Sequence, residues 1–165
     1  MPPETDWQVR LHAVDWSAFH TIYGTAGNVP EQIERLHSPD ENIALSGAGD
    51  LRAGLCHQHI QIASAALPAF PFIMDMLPDA SEKVTIEILE LLAGFARTTD
   101  PVRMHQFASA VGKRRMPQPE WVADLRRALE AALPRIAAYA AHENPAIAEL
   151  ARIFAGEIGK DTAAT

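Results

Sequence analysis

Apolar positions along this chain recur at steps of three and four, and no segment alternates convincingly at period two, so the pattern predicts helices throughout. The widest stripe lies between residues 79 and 97. There Val84, Ile88, Leu91, Leu92 and Phe95 share one face, with Glu82, Lys83, Glu87 and Glu90 largely off it. Start signals divide the rest. Asp15 is placed as an N-cap for a short helix carrying Trp16, Phe19 and Tyr23, which Gly24 stops. Asn28 and Glu31 read as a capping box around Pro30, opening a helix with Ile33 and Leu36 inside. Ser38-Pro39-Asp40-Glu41 repeats the device, with Ser38 as the cap, and the helix it opens carries Ala44, Ala48, Leu51 and Leu55. Gly47 and Gly49 lie inside that helix. Each costs about 1 kcal/mol against alanine, so both are expected where another backbone comes close.

The stretch from Cys56 to Leu77 is the most apolar part of the chain after its polar opening, Cys56-His57-Gln58-His59. It reads as a short helix through Ile60, Ile62 and Leu67 that ends near Pro68, then a buried helix with Pro71 in its first turn. Asp100-Pro101 caps a further helix with Val102, Met104, Phe107, Ala108 and Val111 inside. Gly112 stops it, and the cations Lys113, Arg114 and Arg115 complement its C-terminal dipole. A long helix from Glu120 to His142, kinked at Pro134, and a last one capped by Asn144-Pro145 complete the pattern. Residues 1–14 show no helical period and are expected to form an arm around Trp7, Val9 and Leu11, and 160–165 a loose tail. The fold predicted is all-α: one domain over 15–159, built of antiparallel helical hairpins stacked as in a solenoid, with a compact irregular bundle as the competing architecture.

The run Trp16, His20, Tyr23-Gly24, Asn28-Val29-Pro30, then Leu36 and Asp40, then Leu51, His57-Gln58 and Pro71-Phe72-Ile73 resembles a group of bacterial HEAT-repeat proteins of armadillo-type fold. The resemblance covers residues 15–97 and extends only loosely beyond them. It implies a short right-handed solenoid that acts as a protein-interaction scaffold, without catalysis and without a cofactor. The chain departs from the pattern at Ala44 and Ala148, where such hairpins usually carry arginine, and at His59, where the His-Gln corner usually continues with glycine.

Charge sharpens this expectation. The chain carries a formal net charge of −7, and residues 1–80 hold ten acids against three bases, whereas the remainder holds eleven of each. Such an acidic half repels phosphate and suits a basic protein partner, although solubility alone also accounts for it. The partner surface expected from the sequence is therefore Glu31, Glu34, Asp40, Glu41 and Asp50, with His59 beside them. The sharpest form of that reading is an immunity-type inhibitor that covers a basic toxin. A single cysteine rules out an internal disulfide, and no run is long and apolar enough for a membrane span, which together suggest a cytoplasmic protein.

Two other classes of function have candidate residues. Cys56, His57 and His59, with His20 or Asp15, could supply zinc ligands, but residues 57 and 59 on one helix point to different faces, so backbone capping by His57 and Gln58 is the preferred reading. Arg103, Lys113, Arg114, Arg115, Arg126 and Arg127 could contact nucleic acid, yet Glu120, Asp124 and Glu130 dilute their field. Cys56 at a helix end is expected to be buried rather than nucleophilic, and no catalytic signature is present. The aromatic stripe of Trp16, Phe19 and Tyr23 is expected in the core; any member left exposed becomes the natural contact residue for a partner.

Overall fold

The computed structural model describes residues 4–110 and 118–160, with the backbone alone for His105 and residues 107–110. The chain is mostly helical, with eight α-helices among the described residues, as the sequence predicts. The first, α1 (Asp6–Ala13), is a correction: the presumed arm is a helix. Its weak periodicity hides it, because its hold on the domain comes from three side chains. Leu11 is fully buried, Trp7 stacks on His37 at 4.1 Å between ring centroids, and Arg10 reaches Asp75 at 2.8 Å.

The expected helix over Trp16, Phe19 and Tyr23 does not form. Asp15 does cap, accepting from the Ser17 amide, but what it opens is a single 3-10 turn over Trp16–Ala18. A minimal hairpin follows, β1 (His20–Thr21) against β2 (Gly24–Thr25), with Gly24 at φ 143 where a side chain would be strained. A 3-10 turn at Ala26–Asn28 then runs straight into α2 (Val29–Leu36), so Asn28 makes no side-chain cap and the predicted capping box is absent.

α3 (Glu41–Leu55) starts two residues later than the Ser38 signal implies. Asp40 is the cap, accepting from the Asn42 and Ile43 amides at 2.9 and 3.1 Å. α2 and α3 form an antiparallel pair that meets at Gly47, where an added Cβ would lie 2.6 Å from the Leu36 amide nitrogen. Gly49 has no such neighbour, so the close approach expected there is wrong. Nor does a helix follow Cys56. Instead β3 (Cys56–His57) pairs with β4 (Gln61–Ile62) around a tight turn. α4 (Ala66–Met76) then carries Pro68 in its first turn and Pro71 past it, and buries Ala69, Phe70, Phe72, Ile73 and Met74.

α5 (Glu82–Thr98), capped by Ser81, is the central helix, burying Val84, Ile88, Leu91, Leu92 and Phe95 as the stripe requires. α6 (Pro101–Ala110) opens on Asp100, whose Oδ1 accepts from the Val102 amide at 2.9 Å. The expected Gly112 stop and its basic cluster at 113–115 lie outside the described residues. α7 (Glu120–Ala137) continues through Pro134 and tightens into a 3-10 turn over Ala138–Ala141, and α8 (Pro145–Gly159) starts at Asn144 as predicted. Packing follows a simple order: α2, α4 and α7 touch in succession, as do α3, α5 and α8 in a second layer. One apolar cluster, from Leu11 to Ile158, joins all of these helices.

Candidate functional site

The two hairpins meet at the C-terminal end of α3. A helix leaves its last carbonyls without intrahelical donors, and here backbone amides from both hairpins supply them. Ile22 donates to the Gly54 oxygen at 2.8 Å, and Ala63 to the Leu55 oxygen at 2.9 Å. The hairpins are also tied to each other's flanks: Ala65 donates to the His20 oxygen, and Ser64 Oγ accepts from the His20 amide. The expected capping by the His57 and Gln58 side chains is thus replaced by backbone capping. Two clefts open on either side of Ala53. One, of about 270 Å³, is lined by Thr21, Tyr23, Asn28, Gln32 and Asp50. The other, of about 340 Å³, is lined by Gly49, Arg52, Cys56, His57, Gln58 and His59.

Gln58 and His59 sit at φ 50 and φ 55, the left-handed region. Each side chain there costs roughly 1–2 kcal/mol, and the glycine of the resembled pattern would avoid it. His59 offsets the strain with its ring. Nδ1 accepts from Arg97 Nη1 at 2.9 Å, and the ring lies over Gly94, where an added Cβ would come within 2.9 Å of it. That bond requires an unprotonated Nδ1, so the remaining proton sits on Nε2, 3.8 Å from Glu90 Oε2. From there a chain of charges crosses α5 to α8. Arg97 and Arg103 approach Glu157 Oε1 at 3.4 and 3.5 Å, and Lys160 donates to Oε2 at 3.0 Å. Burial would raise the Glu157 carboxyl, but the bond from Lys160 and the charge of Arg103 hold it below the ordinary value.

This arrangement bears directly on the metal and thiol readings. Among the described residues no group of three or more His, Cys, Asp and Glu side chains is placed to hold a metal ion. His57 and His59 stand on a hairpin rather than a helix, and His59 Nδ1 is already occupied. Cys56 is buried beside Gly94 and Thr98, and burial pushes its thiol up to about 11. The folded protein should therefore react with iodoacetamide at pH 8 on the order of 100-fold more slowly than the unfolded chain. Equal rates, followed by mass spectrometry in and out of urea, would show an accessible thiolate.

The acidic residues expected to face a partner are scattered over several internal pairs. Glu34 meets His12 at 3.0 Å, Glu41 meets Lys83 at 2.9 Å, and Asp40 is the α3 cap. Arg35 joins Glu31 at 3.8 Å to Asp50 at 2.6 Å. Of the six expected contact residues, only Asp50 and His59 line the clefts. Sequence reasoning missed Gln32, Arg52 and Arg97. Gln32 had a detectable signal, a polar residue on the buried side of α2, whereas Arg52 and Arg97 looked like solvated helix positions. Tyr23 is the stripe member left out of the core, at 72% exposure. Arg126, by contrast, is buried and donates to the Ala96 and Glu157 carbonyls, which corrects its placement among surface cations. Arg127 is exposed and paired with Asp124.

Two histidines give the molecule an acid limit. Burial lowers the pKa of both His37 and His59, and the charge of Arg97 adds to the effect at His59. His37 also donates Nε2–H to the Phe72 carbonyl at 2.9 Å under the Trp7 ring. For both groups the folded pKa lies below the unfolded value near 6.5, so the unfolded chain binds more protons between the two values. Their contribution to stability is complete above about pH 6.5 and is lost as pH falls through the folded pKa values. The thermal midpoint should accordingly drop from pH 7.5 to pH 5.5, and His37→Gln should flatten that slope. A midpoint independent of pH in this window would contradict the assignment.

Comparison with protein-family models, curated proteins and solved structures found no match to this chain. No helix among the described residues is long and apolar enough to cross a membrane.

Proposed function

We propose that this chain is a HEAT-like scaffold that binds another protein, as an adaptor or an inhibitor, through the face formed by the two hairpins and α3. The observation that carries the reading is the exposure of apolar hairpin tips beside the two clefts: Tyr23 is 72% and Ile60 47% exposed. Exposed apolar side chains are ordinary when scattered singly, as Val9 and Val102 are, but an aromatic and an aliphatic side chain beside two adjoining clefts are the kind of anchor a partner covers. The successive contacts of α2, α4 and α7, and of α3, α5 and α8, support a stack of helical hairpins, the architecture that presents such a face. The partner we infer is basic. Residues 1–80 hold ten acids against three arginines; Arg52 pairs outward with Glu87 and Lys83 reaches in to Glu41, so the half that carries both hairpins stays negative even after these pairs are formed. An immunity-type protein that blocks a basic toxin is the most specific version of this proposal.

A photo-crosslinking residue at position 23 or 60, introduced in cells that naturally make the chain, should give one discrete conjugate. The same residue in place of the exposed Ala131 on α7 should not. Mass spectrometry should then identify a basic protein. Conjugates of equal yield from all three positions, or none from 23 and 60, would defeat the proposal.

A further inference from the structure

The turn between β3 and β4 is held shut against its own backbone preference. Gln58 and His59 are both left-handed, and neither is glycine. The ladder behind them is two residues long on each side, and the Ile60 amide closes the turn on the His57 carbonyl at 3.0 Å. What pins the tip lies outside the hairpin. Arg97 Nη1 donates to His59 Nδ1 at 2.9 Å, and Gly94 gives the ring a bare stretch of α5 to rest on. The Cys56 thiol rests on the same glycine, where a Cβ would stand 2.9 Å from both Cys56 Sγ and His59 Cδ2. The His59 amide also bonds that sulfur. Cys56 lines the larger cleft yet is only 1% exposed, with His59 between it and the opening.

The contact with Arg97 depends on protonation. Nδ1 can accept only while it carries no proton, and a proton there would set two donors against each other. The charges that face the ring are Arg97 and Glu90 on α5 and Arg52 on α3, with His57 and Cys56 beside it in the hairpin. Beyond Arg97 stand Arg103 on α6 and Glu157 on α8. Burial, Arg97 and Arg52 disfavour an imidazolium, whereas Glu90, its Oε2 3.8 Å from Nε2, favours one. The balance lies against the charge, so the closed turn keeps a neutral ring. We propose that the β3–β4 turn is an acid-opened latch: protonating His59 breaks its hold on Arg97 and Gly94, the turn swings off α5, and the Cys56 thiol is uncovered. The strained backbone assists, because an open turn need not keep Gln58 and His59 left-handed. The latch does not depend on the protein-binding reading above; on that reading, opening also moves Ile60 and reshapes the binding face.

Cys56 is the single thiol of the chain and reports the opening. The full chain is treated with 4,4′-dithiodipyridine from pH 7.5 to pH 5.5, and each rate is divided by that of N-acetylcysteine at the same pH. The ratio should rise on acidification by up to about tenfold, the ceiling for one group that titrates at about 6.5 when free. It should not respond to urea well below the unfolding transition, because a local opening exposes little surface and global unfolding exposes much. His59→Gln can still accept from Arg97 but does not titrate, so its ratio should stay low and flat. His59→Gly removes the ring and the strain together, so its ratio should be high and flat. A wild-type ratio that is level or falls toward pH 5.5 would overturn the proposal. So would a rise that survives in His59→Gln or climbs steeply with urea, or a His59→Gly ratio as low as the wild type at pH 7.5. None of these outcomes bears on the crosslinking experiment, which tests the protein-binding reading alone.

Discussion

Gly47→Ala should destabilise the protein by about 2–3 kcal/mol, although alanine is the better helix former. At this position α3 crosses α2 so closely that an added Cβ would stand 2.6 Å from the Leu36 nitrogen and 2.7 Å from the Gln32 oxygen. Both obstacles are backbone atoms, so no rotamer change relieves them and the two helices must separate. Separation would loosen Ile33, Leu36, Ala44 and Ala48, all buried along that contact. Gly49→Ala, two residues further on, is the matched control. Its Cβ would meet nothing within 4 Å, so the substitution should stabilise by about 0.5–1 kcal/mol. Urea unfolding of the two variants checks both signs at once. If Gly47→Ala were neutral, the α2–α3 contact would have to be looser than the structure describes.

Arg126→Met should cost about 3 kcal/mol while keeping the apolar stem in place. The guanidinium, 6% exposed, donates to the Ala96 carbonyl at 2.7 Å and to the Glu157 carbonyl at 3.0 Å. These oxygens belong to the last turns of α5 and α8, where orphan carbonyls and the negative ends of two helix dipoles converge. One buried cation thus satisfies two helix ends, and Glu130 lies 3.8 Å from its Nε. Removing it leaves the Ala96 carbonyl with the Thr99 hydroxyl at 3.4 Å, whose better bond goes to the Phe95 carbonyl at 2.7 Å. A lysine cannot span both carbonyls from one ammonium group, so Arg126→Lys should recover only part of the loss. A change below about 0.5 kcal/mol in the Met variant, the level of an ordinary surface substitution, would mean that Arg126 is solvated after all.

The candidate site was only partly legible. Tyr23 could be named as a contact residue if exposed, Asp50 as one of the acids of the negative half, and His59 because it stands where the resembled pattern has glycine. The site's assembly was not visible. It depends on two hairpins of two-residue strands, too short for any period-two alternation, and on amides that cap α3 from residues 22 and 63. The His57–Gln58–His59 corner illustrates the difficulty. Polar side chains after Leu55 suggested side-chain capping, but two consecutive left-handed residues turn the chain back and hand that task to the backbone. Likewise the acidic residues counted as a free surface are distributed among pairs with His12, Arg35 and Lys83, partners brought in from other elements or the adjoining helical turn.

By itself the sequence determined the helical class, the core stripes of α2, α3 and α5, and the starts of α5, α6 and α8 to within a few residues, whereas Val102, expected inside α6, is exposed. Those properties are local: a cap, a proline or a 3.6-residue period acts over one or two turns and needs no knowledge of neighbours. Only the tertiary structure decided that residues 6–13 are helical, that Trp16 is buried and Tyr23 is not, that Gly47 rather than Gly49 meets another backbone, and that Arg126 lies inside. Each of those outcomes is fixed by atoms distant in sequence, such as the His37 ring under Trp7 or the two helix ends around Arg126. The energies of such contacts, a few kcal/mol each, exceed the fractions of a kcal/mol by which local propensities differ.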